Sequence, residues 1–228
     1  MLRIIILNLV VLIVLGNVAQ AQTGIKGKRA IIPQQAQRTK MPAGFRAEVA
    51  EFRAEREAEF RDPKQSALPP EEIPNFKGLN YFPINAAYHV TAKFIRATEE
   101  TKFDMPTSNP NKQKRHIKYG ELHFTLNGRK LVLNVYQNEA LAQQEKYKDY
   151  LFLPFNDTTN GKTTYGGGRY IDLKIPTGDT VTLDFNRAYQ PNCAYDHTTG
   201  RWSCPIPPRA NRLKVAVNAG EKMPSHSK

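Results

Sequence analysis

A chain of 228 residues has room for one large or two small domains, and 40% hydrophobic with 24% charged residues is the composition of an ordinary globular protein. The formal net charge of +12 draws anionic partners. Apart from the run NKQKRHIK over residues 111–118, however, the basic residues are scattered, which argues against a nucleic-acid interface and for a solvated basic surface.

The first predicted element is a signal peptide over residues 1–21. Arg3 gives a basic start, residues 4–15 form a short apolar run, and Ala19-Gln20-Ala21 supplies a small-x-small cleavage pattern. The run is interrupted by Asn8 and is short for a bilayer span, which needs ~20 apolar residues. With no cysteine at the cleavage point there is no lipid anchor. The expectation is a periplasmic or extracellular protein with no membrane span after cleavage. Residues 22–42 lack periodicity and read as a flexible leader. Over residues 43–63, Phe45, Val49, Phe52 and Phe60 recur at near-helical spacing between Glu and Arg, and Pro63 ends the segment; this predicts an amphipathic helix docked by its phenylalanines.

Beyond Ala86 the period changes to two. AYHVTAKFIRA, KYGELHFTLNG, KLVLNVYQ, RYIDLKI, TVTLDFN and RLKVAVN alternate apolar and polar residues, EALAQQEKYKDY reads as a short helix or turn, and YLFLPF as a buried strand. The fold expected is mainly β: an antiparallel sandwich or open barrel over residues 64–222, with an N-terminal amphipathic helix and a disordered tail over residues 223–228. Two hairpins can be phased. Asn127-Gly128 is a strong turn signal, and building outward pairs Phe124 with Leu131, Leu122 with Leu133, Glu121 with Asn134 and Tyr119 with Tyr136. A second hairpin turning at IPTGDT would match Ile171, Leu173 and Ile175 to Val181, Leu183 and Phe185. If both share a sheet, its outer wall carries Tyr119, Glu121, Tyr136, Tyr170, Asp172, Asp184 and Asn186.

The chemistry-bearing residues cluster late in the chain. Gly166, Gly167 and Gly168 precede a strand rather than a helix, so they lack the helix amino end that a phosphate-cradling loop uses; they indicate unusual backbone or a close approach. Cys193 and Cys204 enclose ten residues, and in an exported chain they read as a disulfide clasp. With His197 they would give three metal ligands, but there is no CxxC or HxxxH spacing, so neither a metal nor any cofactor is implied. Nothing places a histidine beside either cysteine as a base.

FKGLNYFPIN, YGELHFTL, VYQN, YLFLPFNDTTNGKTTYGGGRYIDL, DFNRAYQPNCAY and SCPIPPRANRLKVAV resemble the bacterial domain-of-unknown-function family numbered 1684, and EFRAEREAEFRDP resembles the charged helix that opens its members. The resemblance runs from about Phe45 to Lys222 and implies no established activity. Gln190 and Ala210 depart from its AYNP and PPxENRL patterns. The shared stretches hold Asp157, Tyr165, Arg169, Asp172, Asp184, Asn186, Tyr189, Asn192 and Cys193, and such polar residues stand either for a site or for a buried hydrogen-bond network.

The functional expectation is a pocket where the 166–168 loop meets the 186–204 clasp. It would hold a small polar or carbohydrate-like molecule: Arg169 pairs an anionic group, Asp157, Asp172 and Asn186 take hydroxyls, Tyr165 and Tyr189 stack, and Gly167 lines the loop. The alternatives are a hydrolase using Asp157 or Asp172 as acid or base, and a structural envelope protein without a pocket.

Overall fold

A computed structural model describes residues 42–224. The expected signal peptide, all but the last residue of the leader, and residues 225–228 of the tail lie outside the described residues.

The helix α1 spans Phe45–Arg61, inside the expected bounds, because Asp62 takes extended backbone ahead of Pro63. Phe45, Val49 and Phe60 are its buried residues. Glu48 in the first turn and Arg61 in the last complement the helix dipole. A second short helix, α2, is Glu139–Ala142. Seven strands follow α1: β1 His89–Arg96, β2 Lys102–Pro106, β3 Gln113–Leu126, β4 Arg129–Asn138, β5 Tyr150–Phe155, β6 Arg169–Lys174 and β7 Thr180–Asp184. They form one antiparallel sheet in the order β6-β5-β4-β3-β1-β7, with β2 added on β3. The mainly antiparallel β reading holds, with a curled, open half-barrel in place of a sandwich.

The β3–β4 hairpin turns at Asn127 and Gly128, with φ of 50° and 73°. It pairs Phe124 with Leu131, Leu122 with Leu133 and Glu121 with Asn134, as phased from sequence. Tyr119 does not oppose Tyr136: the register shifts between Lys118 and Gly120, so Lys118 faces Tyr136 and Gly120 faces Val135. The cause is the close approach of β1. A Cβ at Gly120 would lie 2.6 Å from the Ile95 carbonyl and from the Phe94 ring. The bulge leaves Tyr119 stacked on Phe94, against the main core, with Arg96 over its ring.

The second expected hairpin is corrected. β6 pairs with β5 and β7 pairs with β1, so the two stand at opposite edges of the sheet. Only residues 175–179 join them, a reach of about 20 Å at full extension. Asp149 accepts from the Ile175 amide at 2.8 Å, and Asp179 accepts from the Phe94 amide at 2.7 Å. One short link bound to both edges requires the sheet to curl.

Inside the curl lie Leu122, Phe124, Leu133, Leu153, Phe155 and Leu183. The expected strand RLKVAVN is also corrected: it makes one isolated bridge, Arg212 with Asn156, bends at Lys214 and Val215, and joins no ladder. Its Leu213, Val215 and Val217 cover the core instead, and it is held to residues 156–158 by the Leu213 amide on the Asn156 carbonyl (2.8 Å) and the Thr158 amide on the Val215 carbonyl (3.2 Å). Asn211 completes the join. Its amide donates to the Asn134 and Pro154 carbonyls at 2.8 and 2.7 Å, and its Oδ1 accepts from the Asn134 amide at 2.9 Å. One side chain thus replaces a rung between β4 and β5, whose ladder has a single paired position at Tyr136 and Phe152.

Candidate functional site

The residues singled out from sequence fall into separate places. Arg169, at the start of β6, has no exposed surface. One guanidinium nitrogen donates to Asp157 Oδ2 at 2.7 Å and to the Val217 carbonyl at 2.8 Å; the other donates to the carbonyls of Ala219 and Glu221. Burial lowers its pKa and Asp157 opposes that shift. Arg169 and Asp157 therefore face each other and the C-terminal segment. Gly168, just before, adopts φ 96°, and a Cβ there would lie 2.6 Å from Pro207 and 2.8 Å from the Phe155 carbonyl, which is the close approach that the three glycines indicated. Gly167 lies against the Tyr165 ring, and the Tyr165 amide donates to Gln190 Oε1 at 2.6 Å.

Asn186 is buried at the opposite edge of the sheet. It donates to Asp184 Oδ1 at 2.7 Å and to the Asn85 carbonyl at 3.0 Å, and it accepts from the Asn85 amide at 2.9 Å. The single outer wall expected from two hairpins in one sheet is thereby divided. Tyr136, Tyr170 and Asp172 share a face with Phe152, whereas Tyr119 turns to the core and Asp184 sits on the β1–β7 side. On the shared face, Asp172 Oδ1 accepts from both Tyr150 Oη (2.7 Å) and Tyr189 Oη (2.8 Å). Water reaches Asp172, but the aromatic walls displace part of its hydration and raise its carboxyl; the two phenols pull the other way.

Glu221 was not foreseen. Fully buried, it accepts from the Gln190 amide and from Tyr195 Oη, both at 2.8 Å, and pairs with Arg56 of α1 at 3.4 Å. Burial opposes the charge on Arg56, yet Glu221 and Glu59 raise its pKa. Arg56 also lies over the Tyr189 ring at 4.9 Å. Gln190, which departs from the family pattern, donates its side-chain amide to the Lys222 carbonyl at 2.6 Å. A lone acid near the chain end carries no sequence signal of burial, and Glu221 lies beyond the last of the quoted motifs, which ends at Val217.

Cys193 and Cys204 are joined in a disulfide, with their Cα atoms 6.2 Å apart. The loop it closes is fastened to the segment after α1. Arg201 donates to the Ser66 and Leu68 carbonyls at 3.3 and 2.9 Å, and Trp202 Nε1 donates to the Ala67 carbonyl at 3.3 Å. Inside the loop, buried Asp196 accepts from Thr198 and Thr199. Burial would raise its carboxyl, but these donors hold it below the ordinary value. Between the clasp and residues 68–80 opens a cleft of about 420 Å³. Leu68, Phe76, Leu79 and Tyr195 give it an apolar floor, and Glu72, Asn75, Lys77 and His197 a polar rim. Phe60 of α1 supports the floor, stacked on Phe76 and edge-on to Tyr195. His197 Nδ1 contacts the Cys193 carbonyl at 2.8 Å; a carbonyl only accepts, so Nδ1 carries a proton and Nε2 is the ring nitrogen free to meet a ligand.

Among the described residues, no group of three or more His, Cys, Asp or Glu is placed to hold a metal ion, and no helix is long and apolar enough to cross a membrane.

The sequence model of the family described as "Protein of unknown function (DUF1684)" matches residues 74–222. No curated protein matches the chain. Among solved structures, the chain is similar to the solution NMR structure of the uncharacterized protein from gene locus rrnAC0354 of Haloarcula marismortui, at 35% identity and a TM-score of 0.62 over 80% of this chain and 96% of that one. The motifs from FKGLNYFPIN onward lie within a family match spanning well over half of the sequence, while EFRAEREAEFRDP lies before it, and the chain belongs to the DUF1684 family of unknown function.

Proposed function

We propose that this domain is an exported binding module that takes a small polar, carbohydrate-like molecule in the cleft between residues 68–80 and the disulfide clasp. The observation that carries the reading is the pairing of floor and rim in one cleft of about 420 Å³, a volume within the range of small-molecule sites. Half-buried Phe76 and Tyr195 offer aromatic surface to the apolar face of a sugar ring. Asn75, Lys77 and the Nε2 of His197 stand around it for hydroxyls. Export draws on the signal-like start and on the disulfide, which persists in oxidising compartments.

The test is titration with a panel of mono- and oligosaccharides, followed by amide chemical shifts. Saturable shifts confined to residues 68–80 and 194–198 are expected, with His197→Ala weakening binding about tenfold. Shifts elsewhere, or none across the panel, would remove the proposal. A second reading, a structural envelope domain without a ligand, draws on the inward-facing Asp157–Arg169 and Asn186–Asn85 contacts and expects no saturable binding. For the hydrolase reading, Asp157 is engaged with Arg169, which leaves Asp172 as the exposed acid to replace with Asn in a turnover assay.

A further inference from the structure

A second concavity, of about 470 Å³, lies on another part of the surface, lined by residues 156–158, Asn160, Gly166 and residues 212–214. Its charge balance is one-sided. Leu213 and Val215 are buried in the core, so the intervening Arg212 and Lys214 alternate outward and are exposed. Neither forms an ion pair among the described residues. The backbone carrying them is pinned on both sides: the Asn156 amide donates to the Asn211 carbonyl at 3.0 Å and the Leu213 amide to the Asn156 carbonyl at 2.8 Å. Two residues apart in the chain, the two cations stand at most about 7 Å apart at their roots.

Asp157 lines this groove as a residue, but its buried side chain does not neutralise them. Its Oδ2 is held by Arg169 at 2.7 Å, and its Oδ1 accepts from the Thr159 amide at 2.8 Å. The other lining residues with polar side chains, Asn156, Thr158 and Asn160, are uncharged. Two cations on pinned backbone beside a polar groove whose one acid is already engaged attract an anion. The chain's net charge of +12 adds long-range attraction. We propose that this groove binds a phosphate-class oxyanion, with Arg212 as a bidentate fork and Lys214 as a second point charge. It is independent of the saccharide cleft, because no residue lines both.

The experiment is calorimetric and phosphorus NMR titration of the mature protein at fixed ionic strength with inorganic phosphate, pyrophosphate, glucose 6-phosphate and glucose. Saturable binding of the phosphates but not of glucose is expected at this groove, with pyrophosphate about tenfold tighter than phosphate because it reaches both cations. Arg212→Ala and Lys214→Ala should each weaken binding about tenfold at an unchanged melting temperature, since both side chains are exposed. Lys174→Ala, which removes an equally exposed charge paired with Asp149, should change nothing. Tighter binding of glucose 6-phosphate than of phosphate would support the site and identify a phosphorylated organic ligand; equal binding would support it as a site for the free anion. Saturation that survives the Arg212/Lys214 double substitution, an equal loss in Lys174→Ala, or no saturation in the millimolar range would overturn it.

Discussion

At the scale of single residues, the buried Arg169–Asp157 pair sets the sharpest expectation. Arg169→Ala leaves Asp157 charged and sealed under the C-terminal segment, and removing one member of a buried pair costs about 3–5 kcal/mol. Denaturant titration should show that loss in full, whereas the double change Asp157→Leu with Arg169→Met should recover much of it. An Arg169→Ala protein of near-native stability would refute the network. His116, on β3, gives a pH dependence. It is 2% exposed, and burial lowers its pKa from 6.5 despite the bond from Nδ1 to the Lys114 carbonyl. Below 6.5 the unfolded chain binds a proton that the folded ring still refuses. Stability from this group is therefore full above 6.5 and falls as pH drops toward the lowered folded value, by at most about 1.4 kcal/mol per pH unit. His116→Gln should flatten that slope in melts run from pH 7 to pH 5. Neither role was legible in the sequence. An arginine after three glycines reads equally as a surface fork or a buried tie, and its carbonyl partners lie 48–52 residues further on.

At the scale of elements, alternation revealed what depends on near neighbours. β1, β6 and β7 lie within segments of period two, β3 and β4 overlap theirs with β3 starting five residues earlier, and the Asn127-Gly128 turn fixed the β3–β4 register as far as Glu121. Pairing failed where it depends on distant chain. The β6–β7 connection looked like a hairpin because its lengths match, but each strand finds a better partner elsewhere. β2 escaped notice because five residues ending in Pro106 show no pattern that separates them from a loop. The clasp was legible from the cysteines and the signal-like start, but its fastening to residues 66–68 was not. Replacing both cysteines with serine should cost roughly 2–3 kcal/mol for a loop enclosing ten residues. It should also broaden the amide signals of residues 194–198 on the cleft wall. Unchanged stability and line widths in that variant would show that Arg201 and Trp202 alone hold the loop.

At the scale of the whole molecule, polar residues divide between two tasks. Many buried ones turn inward: Asp157 with Arg169, Asn186 with Asn85, Glu221 with Tyr195 and Arg56. They tie the N-terminal helix and the C-terminal segment to a half-barrel whose own ladder does not close. The open cleft lies instead where the clasp meets the segment after α1, built from residues whose sequence context is a proline-rich loop without periodicity. The sequence could indicate polar chemistry near the clasp but not the wall facing it, because that wall comes from more than a hundred residues earlier. The most direct test of the binding account is the amide spectrum of the protein under saccharide titration. The account predicts saturable shifts at Phe76, Lys77, Tyr195 and His197, weakened in His197→Ala; a spectrum that stays unmoved at those four amides across the panel would contradict it.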